Sequence, residues 1–166
     1  HLVLIGDHVQ LRPSTNVYTL AKKYQLDVSL FERLIKNNMP SIQLSVQHRS
    51  IPMISHLTHH FYDIPIENHE SVLNRSSIIG VSHPLYFITH SNPEENVADG
   101  TSKRNSHECT YILQLANYLL NQGYDKSEIT ILTTYMGQRQ QFQKMINQTW
   151  KQLKGIHVTV EICVCY

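Results

Sequence analysis

Residues 2–13 read LVLIGDHVQLRP, a run of four apolar residues closed by a glycine and an acid. Four apolar residues in succession, ended by a turn signal, are typical of a central parallel strand, because helices cover both faces of such a strand. The stretch therefore predicts a buried strand over 2–5. Ligands of open α/β sheets bind beyond the carboxyl ends of the strands, so Gly6, Asp7 and Gln10 become candidates for a binding site.

Strand and helix patterns alternate along the rest of the chain. Strands are predicted over 41–46, 85–88, 129–132 and 156–164, and helices over 29–36, from Pro52, between Asn105 and Gly123, and from Gly137. In the helix that starts at Pro52, we expect Ile54, Leu57 and Phe61 to face the core. The order predicts an α/β fold with a mostly parallel sheet and helices on both faces.

Two of these helices carry a recognisable start signal. Ser29 with Glu32, and Asn105 with Glu108, have the spacing of a capping box. The capping box accounts for Asn105 and Glu108 without a functional role.

The composition limits the class of protein. With 166 residues the chain holds one domain or pieces of two, and a hydrophobic fraction of 41% supports a globular core. No apolar run approaches the roughly 20 residues of a membrane span. A net charge of +1 neither predicts nor excludes nucleic acid, because binding depends on a local patch.

The three cysteines are an odd number, which does not make a disulfide framework and predicts a reducing compartment, the cytoplasm or the nucleus. Cys163 and Cys165 have no second pair at zinc-finger spacing, so no metal site is predicted. The first predicted strand opens at the second residue and the last one runs into the terminus. We therefore expect further domains of the same longer chain as partners.

Asp7 and Gln10 have side chains suited to phosphate chemistry at a strand end. An aspartate there can order a metal-bound water or a neighbouring base, and a glutamine can hydrogen-bond a phosphate oxygen and its attacking water. The same residues also fit a common Gly-Asp turn followed by a loop that Pro13 restricts. Both interpretations stay open.

A second polar cluster, Gln47-His48-Arg49, follows the predicted strand over 41–46. A planar guanidinium can hold a phosphate through two parallel hydrogen bonds, and an imidazole can stack on a base. The alternative is an arginine that caps the preceding loop or pairs with a carboxylate.

Four segments together resemble a known family. They are Gly6-Asp7-x-x-Gln10-Leu11-x-Pro13, Ser29-Leu30-Phe31-Glu32-Arg33-Leu34, Gln47-His48-Arg49-x-x-Pro52 and Thr133-Thr134-Tyr135-x-Gly137-Gln138. In this order they resemble superfamily 1 helicases of the up-frameshift group, and within it the NFX-type zinc-finger-containing branch. The resemblance covers residues 2–160.

The resemblance implies a RecA-like P-loop NTPase fold that is incomplete in this chain. Residues 1–40 would end the first RecA-like domain, and residues 41–166 would form about two thirds of the second. ATP would lie between the domains with Mg²⁺, whose ligands lie outside the chain. In this resemblance Gln10 senses the γ-phosphate, Arg49 reaches the same phosphate, and His48 replaces an aromatic residue that contacts adenine. The implied ATP site comprises Gly6, Asp7, Gln10, Gln47, His48 and Arg49.

The resemblance also implies single-stranded nucleic acid as a partner. The family members that this chain resembles make RNA the expected kind of nucleic acid. Thr133 matches a threonine that holds a backbone phosphate, and Tyr135 and Gln138 lie on the following turn. Thr134 replaces the family's usual proline.

Competence for catalysis depends on motifs that this sequence does not contain. No G-x-x-x-x-G-K-[ST] phosphate loop and no Asp-Glu pair for Mg²⁺ occurs between residues 1 and 166. We expect the chain alone to be inactive and the complete protein to be an ATP-dependent helicase. Two alternatives stay open: a non-catalytic nucleic-acid-binding or scaffold protein with a degenerate helicase-like half, and a free-standing α/β ligand-binding domain.

Overall fold

A computed structural model describes residues 1–13, 15, 17–97 and 102–160 of the chain. Their contacts divide the chain into two units, of which the first is His1–Ser76 and the second begins at Ser77. The domain boundary expected between residues 40 and 41 is a different division, and it stays a prediction.

Short helices and one small sheet make up the described part of the first unit. Its elements in chain order are α1 (Tyr18–Tyr24), α2 (Leu30–Lys36), β1 (Val46–Gln47), α3 (Pro52–Thr58), a 3₁₀ turn (His59–Phe61), β2 (Glu67–Asn68) and α4 (Glu70–Leu73). Strands β1 and β2 pair in parallel, with Val46 opposite Glu67. This parallel pair agrees with the predicted α/β class.

Two helix starts in the first unit are confirmed. The hydroxyl oxygen of Ser29 accepts a hydrogen bond from the backbone N–H of Glu32, which satisfies one of the donors at the start of α2. Helix α3 begins with Pro52 in the first turn, where a missing N–H costs nothing.

The predicted buried face of α3 is wrong. Ile54, Leu57 and Phe61 are all exposed. The buried residue of α3 is Ser55, whose hydroxyl donates a 2.7 Å hydrogen bond to Oδ1 of Asn68. The buried residue of α3 thus makes a polar contact with β2.

The predicted strand over 2–5 is also wrong for the described structure. Leu2 is 71% exposed and Ile5 is 94% exposed, and neither lies in a strand. A strand needs a neighbour whose backbone groups pair with its own, and no described segment pairs with residues 2–5. The strand expected over 41–46 shortens for the same reason to its last residue, Val46, where β2 supplies a partner.

Longer elements form the described part of the second unit. They are β3 (Glu95–Asn96), β4 (Lys103–Arg104), α5 (Ser106–Asn121), a 3₁₀ turn (Lys126–Glu128), β5 (Thr130–Thr133), α6 (Met136–Gln148), a 3₁₀ turn (Lys151–Leu153) and β6 (His157–Val160). Strands β3 and β4 are antiparallel, whereas β5 and β6 are parallel with Thr133 opposite Val160. A single continuous sheet with helices on both faces stays a prediction.

Helices α5 and α6 and strand β5 confirm the sequence-based predictions for the second unit. Strand β6 agrees with the strand predicted over 156–164 as far as Val160, and residues 161–164 lie outside the described part of the chain. Helix α5 starts at the cap Asn105, ends before Gly123 at φ +101°, and the strand β5 lies one residue from its predicted position. The strand predicted over 85–88 is wrong, since those residues form no ladder with any described segment and Phe87 is exposed.

One hydrophobic core holds the second unit together. Helix α5 contributes Cys109, Leu113 and Ala116, whose spacing places them on one helix face. The remaining members of the core are Ile129, Ile131, Phe142, Ile146, Leu153, Ile156 and Val158. Among the described residues of the first unit, by contrast, Val72 is the one fully buried hydrophobic side chain.

None of the helices that the structure describes is both long enough and apolar enough to cross a bilayer.

Candidate functional site

Asp7 organises the candidate site of the first unit. Gln10 donates a 3.0 Å hydrogen bond from Nε2 to Oδ2 of Asp7, and the hydroxyl of Tyr62 donates to the same oxygen at 2.6 Å. The other carboxylate oxygen accepts from the backbone N–H of Val9 at 3.0 Å. The predicted pair Asp7 and Gln10 is thus in direct contact, and Tyr62 is a third member that the sequence analysis missed.

These hydrogen bonds fix the charge state of Asp7. Burial raises the pKa of Asp7, but the donors from Tyr62, Val9 and Gln10, helped by the nearby His8, outweigh burial and hold the pKa below its ordinary value. Asp7 is therefore an ionised acceptor at neutral pH. The hydrogen bond to this carboxylate uses one of the two N–H groups of Nε2, so Gln10 can offer a water or a phosphate its Oε1 and its second N–H.

The geometry does not require glycine at Gly6. A Cβ placed there would meet the ring of Phe31 at 3.6 Å, which is ordinary van der Waals contact. Gly6 stays a predicted part of the ATP site on the resemblance alone.

Gln47 builds the turn that carries the second cluster. Its Oε1 accepts hydrogen bonds from the backbone N–H groups of Arg49 and Ser50, at 2.9 Å and 2.8 Å. Its Nε2 donates to the carbonyl oxygen of Ser50 and to Oδ1 of Asn68. Both ends of the amide are used locally, so Gln47 positions Arg49; a direct contact of Gln47 with a nucleotide stays a prediction.

The side chains of His48 and Arg49 are exposed, as binding residues need to be. The His48 ring packs against the ring of His69, with centroids 4.0 Å apart and planes inclined by 31°. The carbonyl oxygen of His48 accepts a hydrogen bond from Nη2 of Arg75 at 3.2 Å. The rings of His48 and His69 therefore lie against each other as one aromatic surface, and no local sequence signal indicates this contact.

The predicted nucleic-acid residues lie in the second unit, where β5 meets α6. Thr133 is the last residue of β5 and is almost fully buried, and its hydroxyl oxygen accepts from the N–H of Tyr135 at 3.4 Å. Tyr135 is the N-terminal cap residue of α6 and is exposed. These two residues are thus adjacent, although only Tyr135 presents much of its side chain to solvent.

Gln138 has a different environment from the exposed one that a binding residue suggests. It is 7% exposed, its Oε1 accepts from the N–H of Asn105 at 2.6 Å, and its Nε2 donates to the carbonyl oxygen of Asn105 at 3.2 Å. The amide of Gln138 thus clamps both backbone groups of the residue that caps α5. A contact of Gln138 with nucleic acid stays a prediction that no observation tests.

The capping box predicted for α5 is half formed. Oδ1 of Asn105 accepts from the N–H groups of His107 and Glu108, as expected for a cap. The Glu108 carboxylate does not return to the N–H of Asn105, because Gln138 takes that donor; Glu108 contacts Nε2 of His90 at 3.1 Å instead.

A polar cavity of about 200 Å³ adjoins Thr133 and Tyr135, and we name it the strand-end pocket. The residues that line it are Glu94, Lys103, Arg104, Asn105, Glu108, Thr133, Thr134, Tyr135 and Gln138. Among the described residues no group of three or more His, Cys, Asp or Glu side chains is arranged to hold a metal ion.

Comparison with known proteins identifies the family. The family model described as an AAA domain matches residues 26–163, which is most of the chain. The chain therefore belongs to the AAA domain family, and this membership implies a P-loop NTPase fold.

Individual relatives share sequence over nearly the whole chain. Identity is 50% over 161 residues with NFX1-type zinc finger-containing protein 1 of Mus musculus, covering 96% of the chain and 8% of that protein. It is 36% over 156 residues with the helicase required for RNAi-mediated heterochromatin assembly 1 of Schizosaccharomyces pombe, covering 92% of the chain and 15% of that protein. For the regulator of nonsense transcripts 1 homolog of Arabidopsis thaliana, the identity is 33% over 146 residues, covering 83% of the chain and 12% of that protein.

These matches confirm the resemblance that the four motif segments predict. They also show that the chain spans only a small part of each of these relatives, between 8% and 15% of their lengths.

Proposed function

We propose that this chain acts as part of an ATP-dependent superfamily 1 helicase. The observation that supports this most strongly is the 36% identity over 92% of the chain to a protein that is itself named a helicase. In this proposal the fold is RecA-like, residues 1–40 end the first domain, and residues 41–166 form about two thirds of the second. The phosphate loop and the Mg²⁺ ligands belong to other parts of the same protein.

The proposed ATP site uses the groups whose surroundings suit their tasks. Gln10 is oriented by the ionised carboxylate of Asp7, at 3.0 Å, and would offer its Oε1 to a water near the γ-phosphate. Arg49 projects from a turn that the Gln47 amide stabilises, and would bring positive charge to the same phosphate. Bound ATP with Mg²⁺ supplies the phosphoanhydride bond that is cleaved.

The proposed nucleic-acid site lies at the end of β5. Thr133 would donate its hydroxyl to a backbone phosphate, and Tyr135, exposed at the cap of α6, would stack on a base. RNA is proposed over DNA because of the relatives alone. A strand held by its phosphates is alike in both nucleic acids, and only a 2′-hydroxyl contact separates them.

The test is ATP hydrolysis by the complete protein with matched single-stranded RNA and DNA oligonucleotides. We expect hydrolysis to be stimulated, and more by RNA than by DNA. Thr133→Val, which removes the hydroxyl and keeps the shape, should weaken stimulation. Thr130→Val, at the exposed start of the same strand, is the matched control.

The possible outcomes separate the functions. Stronger stimulation by DNA would overturn the choice of RNA. Binding of RNA without any ATP hydrolysis would favour the non-catalytic nucleic-acid-binding or scaffold protein. A complete protein that neither binds RNA nor hydrolyses ATP would contradict both proposals.

A further inference from the structure

Two basic residues of β4, Lys103 and Arg104, line the strand-end pocket together with Thr133 and Tyr135. Neither belongs to the motif segments on which the resemblance rests. We name them the β4 basic pair. Their position suits a phosphate backbone, which carries one negative charge per nucleotide and is bound mainly through lysine and arginine.

Packing fixes the β4 basic pair relative to the start of α6. The N–H of Gly137 donates a 2.9 Å hydrogen bond to Oγ of Ser102. A Cβ at Gly137 would lie 2.5 Å from Cγ2 of Val97 and 2.9 Å from the carbonyl oxygen of Lys103, so only glycine fits. Together with the two hydrogen bonds from Gln138 to Asn105, these contacts hold β4 against the first turn of α6. A nucleic-acid strand bound at the first turn of α6 would therefore also meet β4.

Each member of the pair has a carboxylate partner on or next to β3. Nζ of Lys103 lies 2.5 Å from Oε1 of Glu94, and Nε of Arg104 lies 3.0 Å from Oε2 of Glu95. All four side chains are more than a third exposed, and ion pairs at such positions are weak and screened by salt. A phosphate can therefore replace either carboxylate. The other carboxylate that lines the pocket, Glu108, already contacts His90.

We propose that Lys103 and Arg104 bind two backbone phosphates of the single strand, and that Glu94 and Glu95 compete with those phosphates. The inference rests on the proposed nucleic-acid function and adds to it two residues and a built-in competitor. Glu95 and Arg104 are directly opposite each other in the β3–β4 ladder, so the ion pairs also stabilise the hairpin. The experiment must separate hairpin stability from competition.

The experiment measures binding of a fluorescein-labelled oligouridylate to the complete protein by fluorescence anisotropy over a series of salt concentrations. Lys103→Gln/Arg104→Gln should lower affinity on the order of tenfold at low salt, and should reduce the slope of log K against log salt by about 1.4, at about 0.7 per lost phosphate contact. Glu94→Gln/Glu95→Gln should raise affinity at low salt. Lys144→Gln/Lys151→Gln removes two exposed charges elsewhere in the same unit and is the control. It should change the salt slope by less than Lys103→Gln/Arg104→Gln does.

The glutamate variant decides between the two roles of the ion pairs, and it remains informative if the lysine–arginine variant fails to fold. Unchanged or weaker binding by Glu94→Gln/Glu95→Gln would show that the carboxylates only stabilise the hairpin, and would overturn the inference. An unchanged salt slope for a folded Lys103→Gln/Arg104→Gln variant would overturn it as well. Wild-type protein that binds no oligouridylate would overturn the proposed nucleic-acid function and the inference with it.

Discussion

Replacing Gln138 by leucine should destabilise the second unit far more than the same change at a neighbouring exposed glutamine. The amide of Gln138 makes two hydrogen bonds to the backbone of Asn105, which is itself 5% exposed. Leucine has a similar size but no polar group. The substitution therefore leaves the buried N–H of Asn105 without this partner, whereas the carbonyl oxygen of Asn105 keeps its 3.1 Å hydrogen bond from the N–H of Cys109.

The expected cost follows from those two groups. The unsatisfied N–H costs about 1–3 kcal/mol, and the carbonyl oxygen, which keeps its bond from Cys109, loses one hydrogen bond worth about 0.5–1.5 kcal/mol, so the two sum to roughly 1.5–4.5 kcal/mol. Local relaxation and the added apolar surface of leucine reduce this sum, and we expect a loss of about 1–3 kcal/mol in the free energy of unfolding. Gln140→Leu changes an exposed position of the same helix and should alter stability by less than about 0.5 kcal/mol.

Urea unfolding followed by tryptophan fluorescence measures this difference. The chain contains one tryptophan, Trp150, which packs against the core of the second unit, so its emission reports on that unit alone. The midpoint should fall for Gln138→Leu with little change in the slope m, since the exposed surface of the unfolded chain is nearly unchanged. Equal midpoints for the Gln138 and Gln140 variants would refute the clamp and return Gln138 to the list of solvent-facing binding residues.

Three further predictions concern stability and thiol reactivity. Glu32 is buried beside Lys36 and Arg12, whose hydrogen bonds outweigh burial and lower its pKa. The wild type should therefore lose stability relative to Glu32→Gln as the pH falls below the ordinary glutamate range. The melting temperatures of both proteins at each pH measure this loss. Burial, with Glu108 nearby, raises the pKa of Cys109 to about 12. In a variant with serine at the other two cysteines, iodoacetamide at pH 8 should therefore label Cys109 only after urea is added. Rapid labelling of the native protein would contradict this. Leu113→Ala should lower the free energy of unfolding by about 3–5 kcal/mol, because it empties a fully buried core position. Ile42→Ala should lower it by less than about 0.5 kcal/mol, because Ile42 is exposed. Similar urea midpoints for the two variants would contradict the core assignment.

The bounds of helix α5 in the second unit were predictable from the sequence because their signals are local. Asn105 provides the cap at which α5 begins. Gly123, with φ at +101°, then ends the helix where other residues would be strained. Each of these features can be read within a few residues, and the structure confirms each.

The strands were harder to predict because pairing is not local. The apolar run over 2–5 has the composition of a buried strand, but a strand forms only beside a partner, and the described residues give it none. The run over 85–88 fails in the same way. Apolar composition therefore predicts that a segment can be a strand, while its neighbours determine whether it is one.

The candidate site shows the same division between local and distant contacts. Asp7 and Gln10 are three residues apart, and their contact could be expected from the sequence. Tyr62 lies 55 residues from Asp7, and no local pattern indicates their hydrogen bond. Gln138 illustrates a further limit, since a glutamine in the first turn of a helix suits both a phosphate ligand and a backbone clamp, and only the position of Asn105 distinguishes them.

The central claim is that Arg49 belongs to an ATP-hydrolysing site, and the direct test is ATP turnover measured beside nucleotide binding for Arg49→Ala in the complete protein. A guanidinium that meets the γ-phosphate matters most as charge develops in the transition state, so turnover should fall on the order of 10³-fold while ATP binding weakens much less. Gln10→Ala should act in the same direction with a smaller effect. Arg33→Ala, an exposed arginine of α2 that hydrogen-bonds nearby backbone carbonyls, is the matched control and should keep its turnover. Wild-type turnover in the Arg49 variant would contradict the account and show that this arginine has only a structural role.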